Sequence, residues 1–234
     1  MSRAEDDARA ALRERQSPGA RYDAAAAPAR ELGWARSGTA YFARLLNNLS
    51  DSDLDRPAVA GGPSRRHVVA RIGYQARMLS EIVAWARTRR TSPLPRIARV
   101  DAAEVALGAT LPAHALRHLF QHSAVHLDVE WRDLGDADWD AWVEDAAGLR
   151  VALRDAPRKR ARALWMHAMD LGSGGRAADM PRDLVEALIG DRTKECADGH
   201  DCLLSPFSLA ARWRRSADRT KAQTGDERIA RRLR

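Results

Sequence analysis

The 234 residues carry 45% hydrophobic side chains and a formal net charge of +7, enough chain for one substantial core with a small unit behind it. No stretch approaches the roughly 18 to 20 uninterrupted apolar residues of a membrane helix, and charges occupy Met1 to Arg15 where a signal peptide would place its apolar run, so a cytoplasmic protein with no membrane partner is expected. Two cysteines, Cys196 and Cys202, exclude a disulfide framework or a four-cysteine zinc site within one chain.

The excess charge is local. Between Ala211 and Arg234 nine basic residues face three acidic ones, and the remaining chain is close to neutral. A basic tail contacts polyanions nonspecifically, whereas a domain that reads nucleic acid spreads its cations over a folded face or a recognition helix. Nonspecific contact through the tail is therefore the extent of the nucleic-acid partnership expected.

Residues 1–28, rich in Ala, Arg and Asp and ending before Pro28, read as a mobile N-terminal arm. From Pro28 to Leu49 the positions Leu32, Phe42, Leu45, Leu46 and Leu49 keep a three-and-four spacing, which predicts a helix with one buried stripe, weakened locally by Gly33 and Gly38. Ser50 to Pro63, with its aspartates, Pro57 and Gly61-Gly62, reads as a loop. Ser64 is placed to cap a second helix carrying Val68, Ile72, Leu79, Ile82, Val83 and Ala86 as far as about Thr88.

A basic connection from Arg89 to Arg99 follows. Pro112 suits the first turn of a third helix, on which Leu116, Leu119, Phe120, Ser123, Leu127, Trp131 and Leu134 share one arc. A loop with Trp139 and Trp142 leads to a fourth helix from about Pro157 to Leu171, ended by Gly172 to Gly175. Pro181 opens a fifth, with Leu184, Val185, Leu188 and Ile189, stopped by Gly190. Short connections between amphipathic helices predict an all-α bundle over residues 29–190, with a diverged basic segment over 191–234.

Three stretches resemble the maleylpyruvate isomerase family: Leu49-Ser50-Asp51-Ser52-Asp53-Leu54, Ser64-Arg65-Arg66-His67-Val68-Val69-Ala70, and Leu164-Trp165-Met166-His167-Ala168-Met169-Asp170-Leu171-Gly172. The resemblance implies a DinB-like four-helix bundle that binds a divalent metal such as zinc and uses a low-molecular-weight thiol, mycothiol or glutathione. It also implies an activity in aromatic catabolism, the cis-trans isomerisation of maleylpyruvate to fumarylpyruvate. There the metal-stabilised thiolate adds to the cis double bond, the new single bond rotates, and elimination regenerates the thiol.

In the resembling family a histidine on the second helix and a glutamate and histidine four apart on the fourth hold the metal. The matching positions here are Arg71, Ala163 and His167. Residues i and i+4 lie on one helical face, but a guanidinium repels a divalent cation and alanine has no donor atom, so His167 is the one remaining metal ligand and metal binding in the family's manner is not expected. Asp170 and His167 are the candidate catalytic residues, the aspartate orienting the imidazole or exchanging protons. Arg71 is the candidate substrate-binding residue, suited to grip a carboxylate. The alternative to the isomerase is a metal-free bundle that binds a small thiol or acid, or a noncatalytic module. A small α+β unit follows the bundle in the resembling family; residues 197–234 lack strand patterning, so either that unit was lost or the reading frame changed.

Other patterns read more plainly. His114, His118, His122 and His126, spaced by four, drift around a helix and are expected on a solvated face, although adjacent members have the spacing to share a metal, and His122 and His126 border the buried arc near enough to be considered with His167. Cys196, His200 and Cys202 lack a fourth metal ligand and read as loop residues. The tryptophans at 34, 85, 131, 139, 142 and 165 are expected to fill core space.

Overall fold

The computed structural model describes residues 22–57, 63–88, 100–144 and 150–197, the last helix with side chains as far as Asp191. Among them are seven α-helices: α1 Ala29–Asn47, α2 Asp51–Asp55, α3 Arg65–Thr88, α4 Ala102–Gly108, α5 Ala113–Asp133, α6 Ala156–Asp170 and α7 Arg182–Ala197. The expected arm before Tyr22, the Cys196/His200/Cys202 cluster and the basic tail beyond Ala197 lie outside the described residues.

Amphipathic periodicity builds the bundle. Leu32, Ala35, Phe42, Leu45 and Leu46 of α1 are buried, as are Val68, Ile72, Leu79, Ile82 and Val83 of α3, Leu116, Phe120 and Leu127 of α5, and Ala161, Leu164 and Ala168 of α6. The main pairings are α1 with α6 and α3 with α5, and further contacts join α3 to α6 and α1 to α5. Both α1 and α3 therefore touch α5 and α6, which places these two helices diagonally across the bundle. That topology makes a seam between α3 and α6, far apart in sequence.

Rings lock the layers together. Phe42 meets Phe120 at 5.0 Å between centroids and Tyr41 stacks on Trp165 at 4.7 Å. The tight approach of α1 to α6 needs Gly38, where a Cβ would stand 2.9 Å from the indole nitrogen of Trp165. A residue that weakens the isolated helix thus permits its packing. Helix ends are closed by arginines: Arg117 donates to the carbonyls of Leu46 and Leu49, each at 2.7 Å, and Arg65 donates to the carbonyls of Leu171, Gly172 and Asp53. The Arg65 contacts tie the start of α3 to the end of α6.

Four sequence expectations change. The stretch after Ser50 is not all loop, because Ser50 and Asp53 form a reciprocal capping box that nucleates α2. Between α5 and α6 the chain forms a 3₁₀ turn, Asp136–Asp140, then strands β1 Trp142–Glu144 and β2 Arg150–Ala152, paired antiparallel with Val143 opposite Val151. Trp142 is accordingly 49% exposed on this hairpin, with the Arg150 guanidinium over its ring, rather than in the core. Gly190 does not stop α7, since a solvent-facing glycine costs a helix only about 1 kcal/mol, and nothing lies near its open side.

Helix α4 has no counterpart in the sequence reading. It is capped by Asp101, whose carboxylate accepts from the Ala103 amide, and it packs on α3.

Candidate functional site

A pocket of about 410 Å³ opens at the end of the α3–α6 seam where α4 leans over it. Pro63, His67, Val68 and Arg71 line it from α3 and the residues just before, Ala102 and Val105 from α4, and His167 and Asp170 from α6. The position follows from local structure. Val68 and Arg71, three apart on α3, share a face, as do His167 and Asp170 on α6, and Arg65 fixes the mutual height of the two helix ends.

The polar groups are arranged differently on the two walls. On α6, His167 Nδ1 and Asp170 Oδ2 are hydrogen-bonded at 2.9 Å, which holds the imidazole in one orientation and leaves Nε2 as the nitrogen open to a ligand. On the α3 wall His67 Nδ1 is engaged by Ser64 Oγ at 2.9 Å. Arg71 is exposed, and its guanidinium has no hydrogen bond or ion pair among the described residues. The wall between these groups is apolar, built from Val68, Ala102 and Val105.

Three of the residues singled out in the sequence, Arg71, His167 and Asp170, thus line one pocket. Ala163 does not line it; half-buried, it packs against the core one turn from His167 on α6. His114, His118, His122 and His126 are exposed on α5 and none reaches the pocket, so the notion that His122 or His126 assists His167 fails: the buried arc of α5 faces α3, and the histidines lie outside it.

Sequence reasoning missed Pro63, Val68 and the α4 wall, because a seven-residue helix is too short to reveal a period. It also missed Arg160. This side chain, only 1% exposed, crosses from α6 to α3 just inside the pocket residues, donating from Nη1 to the Ile72 carbonyl at 2.7 Å and to Gln75 Oε1 at 2.8 Å. Its Nη2 has no partner among the described residues, and desolvation by burial pushes its pKa down to about 9. In the sequence it sits unremarkably among Arg158, Lys159 and Arg162.

The donor set does not fit a metal of the kind the resemblance implies. The side chains of Arg71 and Ala163 offer no lone pair, which leaves His167 as the single donor at the family's three positions. Among the described residues no three histidine, cysteine, aspartate or glutamate side chains lie close enough together to hold an ion.

Comparison with known proteins places this geometry. The family model described as "Mycothiol maleylpyruvate isomerase N-terminal domain" matches residues 35–172, the span from α1 to the glycine turn after α6. The solved structure of the mycothiol-dependent maleylpyruvate isomerase is 30% identical, over 74% of this chain and 72% of that one, with a TM-score of 0.66. The structure of a histidine-to-alanine mutant of that enzyme matches with the same values. No curated protein sequence matches significantly. The agreement of three sequence motifs, a family model covering more than half the chain and a shared bundle has one meaning: the chain belongs to the mycothiol maleylpyruvate isomerase N-terminal domain family.

Proposed function

We propose that this chain uses the family pocket, without a metal ion, to bind a small carboxylic acid, free or as part of a carboxylate-bearing low-molecular-weight thiol such as glutathione. The reading rests on Arg71, a pocket-lining cation with no counter-ion among the described residues. A carboxylate docking there gains two parallel charge-assisted hydrogen bonds from the planar guanidinium. Val68 and Val105 supply apolar contact for a short carbon skeleton, and the pocket volume suits a molecule of that class. A fixed guanidinium thereby occupies the electrostatic role that a divalent cation has in the family, with the difference that it cannot leave and cannot polarise a sulfur as a Lewis acid.

Calorimetric titration of the full chain with maleylpyruvate and with glutathione, in chelator-treated buffer, tests this. Binding should occur without added zinc and weaken roughly 10- to 100-fold in Arg71→Gln, the loss of a charged hydrogen-bond pair. Equal affinity in Arg71→Gln, or an absolute requirement for zinc, would overturn the reading.

A second reading is favoured by the His167–Asp170 pair, which is the arrangement of an oriented acid-base catalyst. In it the chain retains thiol-dependent isomerisation of maleylpyruvate, with mycothiol or glutathione as the covalent partner, His167 Nε2 taking the thiol proton and Asp170 stabilising the imidazolium. The assay is conversion of maleylpyruvate to fumarylpyruvate with each thiol in turn, in the absence and presence of zinc. Turnover that disappears in His167→Ala and survives chelation supports this second reading; none with either thiol leaves the binder.

A further inference from the structure

We propose that the outer face of α5 carries a second, separate site, a two-histidine chelate formed by His118 and His122 for a borderline divalent cation of the nickel, copper or zinc class. The pocket chemistry makes no use of these residues. His114, His118, His122 and His126 step by four along α5, and all four are exposed. The imidazoles of His118 and His122 stack at 5.6 Å between centroids with 24° between planes, so both side chains already lean the same way on adjacent turns. Neither ring has a hydrogen-bond or ion-pair partner among the described residues, which leaves their nitrogen lone pairs uncommitted.

The spacing has a chemical consequence. Residues four apart rise about 6 Å along the helix and lie nearly one above the other. Rotation about the side-chain torsions brings one nitrogen of each ring to a common ion at about 2.1 Å, with water completing the coordination. Imidazole pairs suit zinc, nickel and copper. The first and third rings of a run are separated by roughly 12 Å of helix axis, so one ion takes one neighbouring pair rather than all four residues.

His118–His122 is the better pair. His126 is drawn instead toward Glu130, with 3.4 Å between Nε2 and Oε1, and its ring is tilted 47° from that of His122 at 6.2 Å. The cation next in sequence, Arg117, does not oppose an ion there, because its guanidinium is turned to the Leu46 and Leu49 carbonyls and to Asp51.

The test is calorimetric titration of the chelator-stripped full chain with nickel chloride, repeated on four single variants. A saturable component should be present in the native chain, weaken about tenfold or more in His118→Ala and in His122→Ala, and persist in His167→Ala, which removes the pocket imidazole. Exposed positions on a long helix tolerate alanine, so thermal unfolding should report intact folding in each case, with a nickel-induced rise in Tm confined to chains that keep both histidines. No component sensitive to His122→Ala, or one lost in His126→Ala but kept in His118→Ala, would overturn the assignment.

Discussion

Arg160 offers a quantitative test of how the seam beneath the pocket is held. The guanidinium is wholly buried, has no carboxylate partner among the described residues, and makes two hydrogen bonds from one nitrogen while another goes unpartnered among them. Its pKa falls from the usual arginine range to about 9, which means that the fold disfavours the charged form. Each tenfold weakening of proton binding is worth about 1.4 kcal/mol, so burial of the charge costs the native state up to roughly 5 kcal/mol at neutral pH. Against this stand the two hydrogen bonds, each worth about 1.5 to 3 kcal/mol when charge-assisted. Their acceptors tolerate the loss: the Ile72 carbonyl lies inside α3 and keeps the acceptor role of any helical carbonyl, and half-buried Gln75 can turn to water.

These terms leave a difference of about −1 to +2 kcal/mol, to which the buried apolar end of methionine adds, so Arg160→Met, similar in length, is expected to stabilise the protein by about 1 to 3 kcal/mol at pH 7, in line with other buried charges replaced by hydrophobic groups. The sign of the pH dependence is fixed. Because the folded value lies below the unfolded one, the unfolded chain holds the extra proton between them, and native stability rises as pH climbs through 9. The advantage of the methionine variant should therefore shrink between pH 7 and pH 10. Urea unfolding followed by circular dichroism at both pH values measures this, with groups common to the two proteins cancelling. Destabilisation beyond about 2 kcal/mol at pH 7, or a gain that does not change with pH, would refute the argument that the charge is uncompensated.

Gly108→Ala probes the pocket wall: the new methyl would stand 2.4 Å from Cε2 of Tyr74, forcing α4 outward at a cost of about 1 to 3 kcal/mol. Ligand affinity at Arg71 should fall in parallel, as titration of the variant would show, because Val105 moves with the helix. Asp23, held below the usual carboxylate range by hydrogen bonds from Arg36, contributes stability above its unfolded pKa that is lost as pH falls through the folded one. Asp23→Asn should thus cost about 1 kcal/mol at pH 7 and progressively less on acidification toward pH 2, as chemical denaturation at each pH would report.

The four bundle helices were legible because each buries a stripe that repeats at the helical period over fifteen or more residues. Short elements were not. α2 depends on a single capping box, α4 on one aspartate cap and on Tyr74, and the β1–β2 hairpin has only three residues a side, too few for any period to register. Gly38 illustrates the limit from the other direction, since local propensity counts it as a defect and packing against Trp165 makes it necessary.

For the candidate site, the residue types at 71, 163 and 167 come from the sequence alone, and with them the conclusion that the family's metal donors are missing, since lone pairs are a property of side chains and not of their arrangement. That Arg71, His167 and Asp170 share a cavity, that Ala163 stays out of it, and that α4 roofs it were decided by tertiary structure. Two helices separated by about seventy residues meet only because α1 and α3 lie diagonally in the bundle, and the burial that leaves Arg160 without a counter-ion among the described residues arises from that same meeting. No local pattern in the chain encodes either.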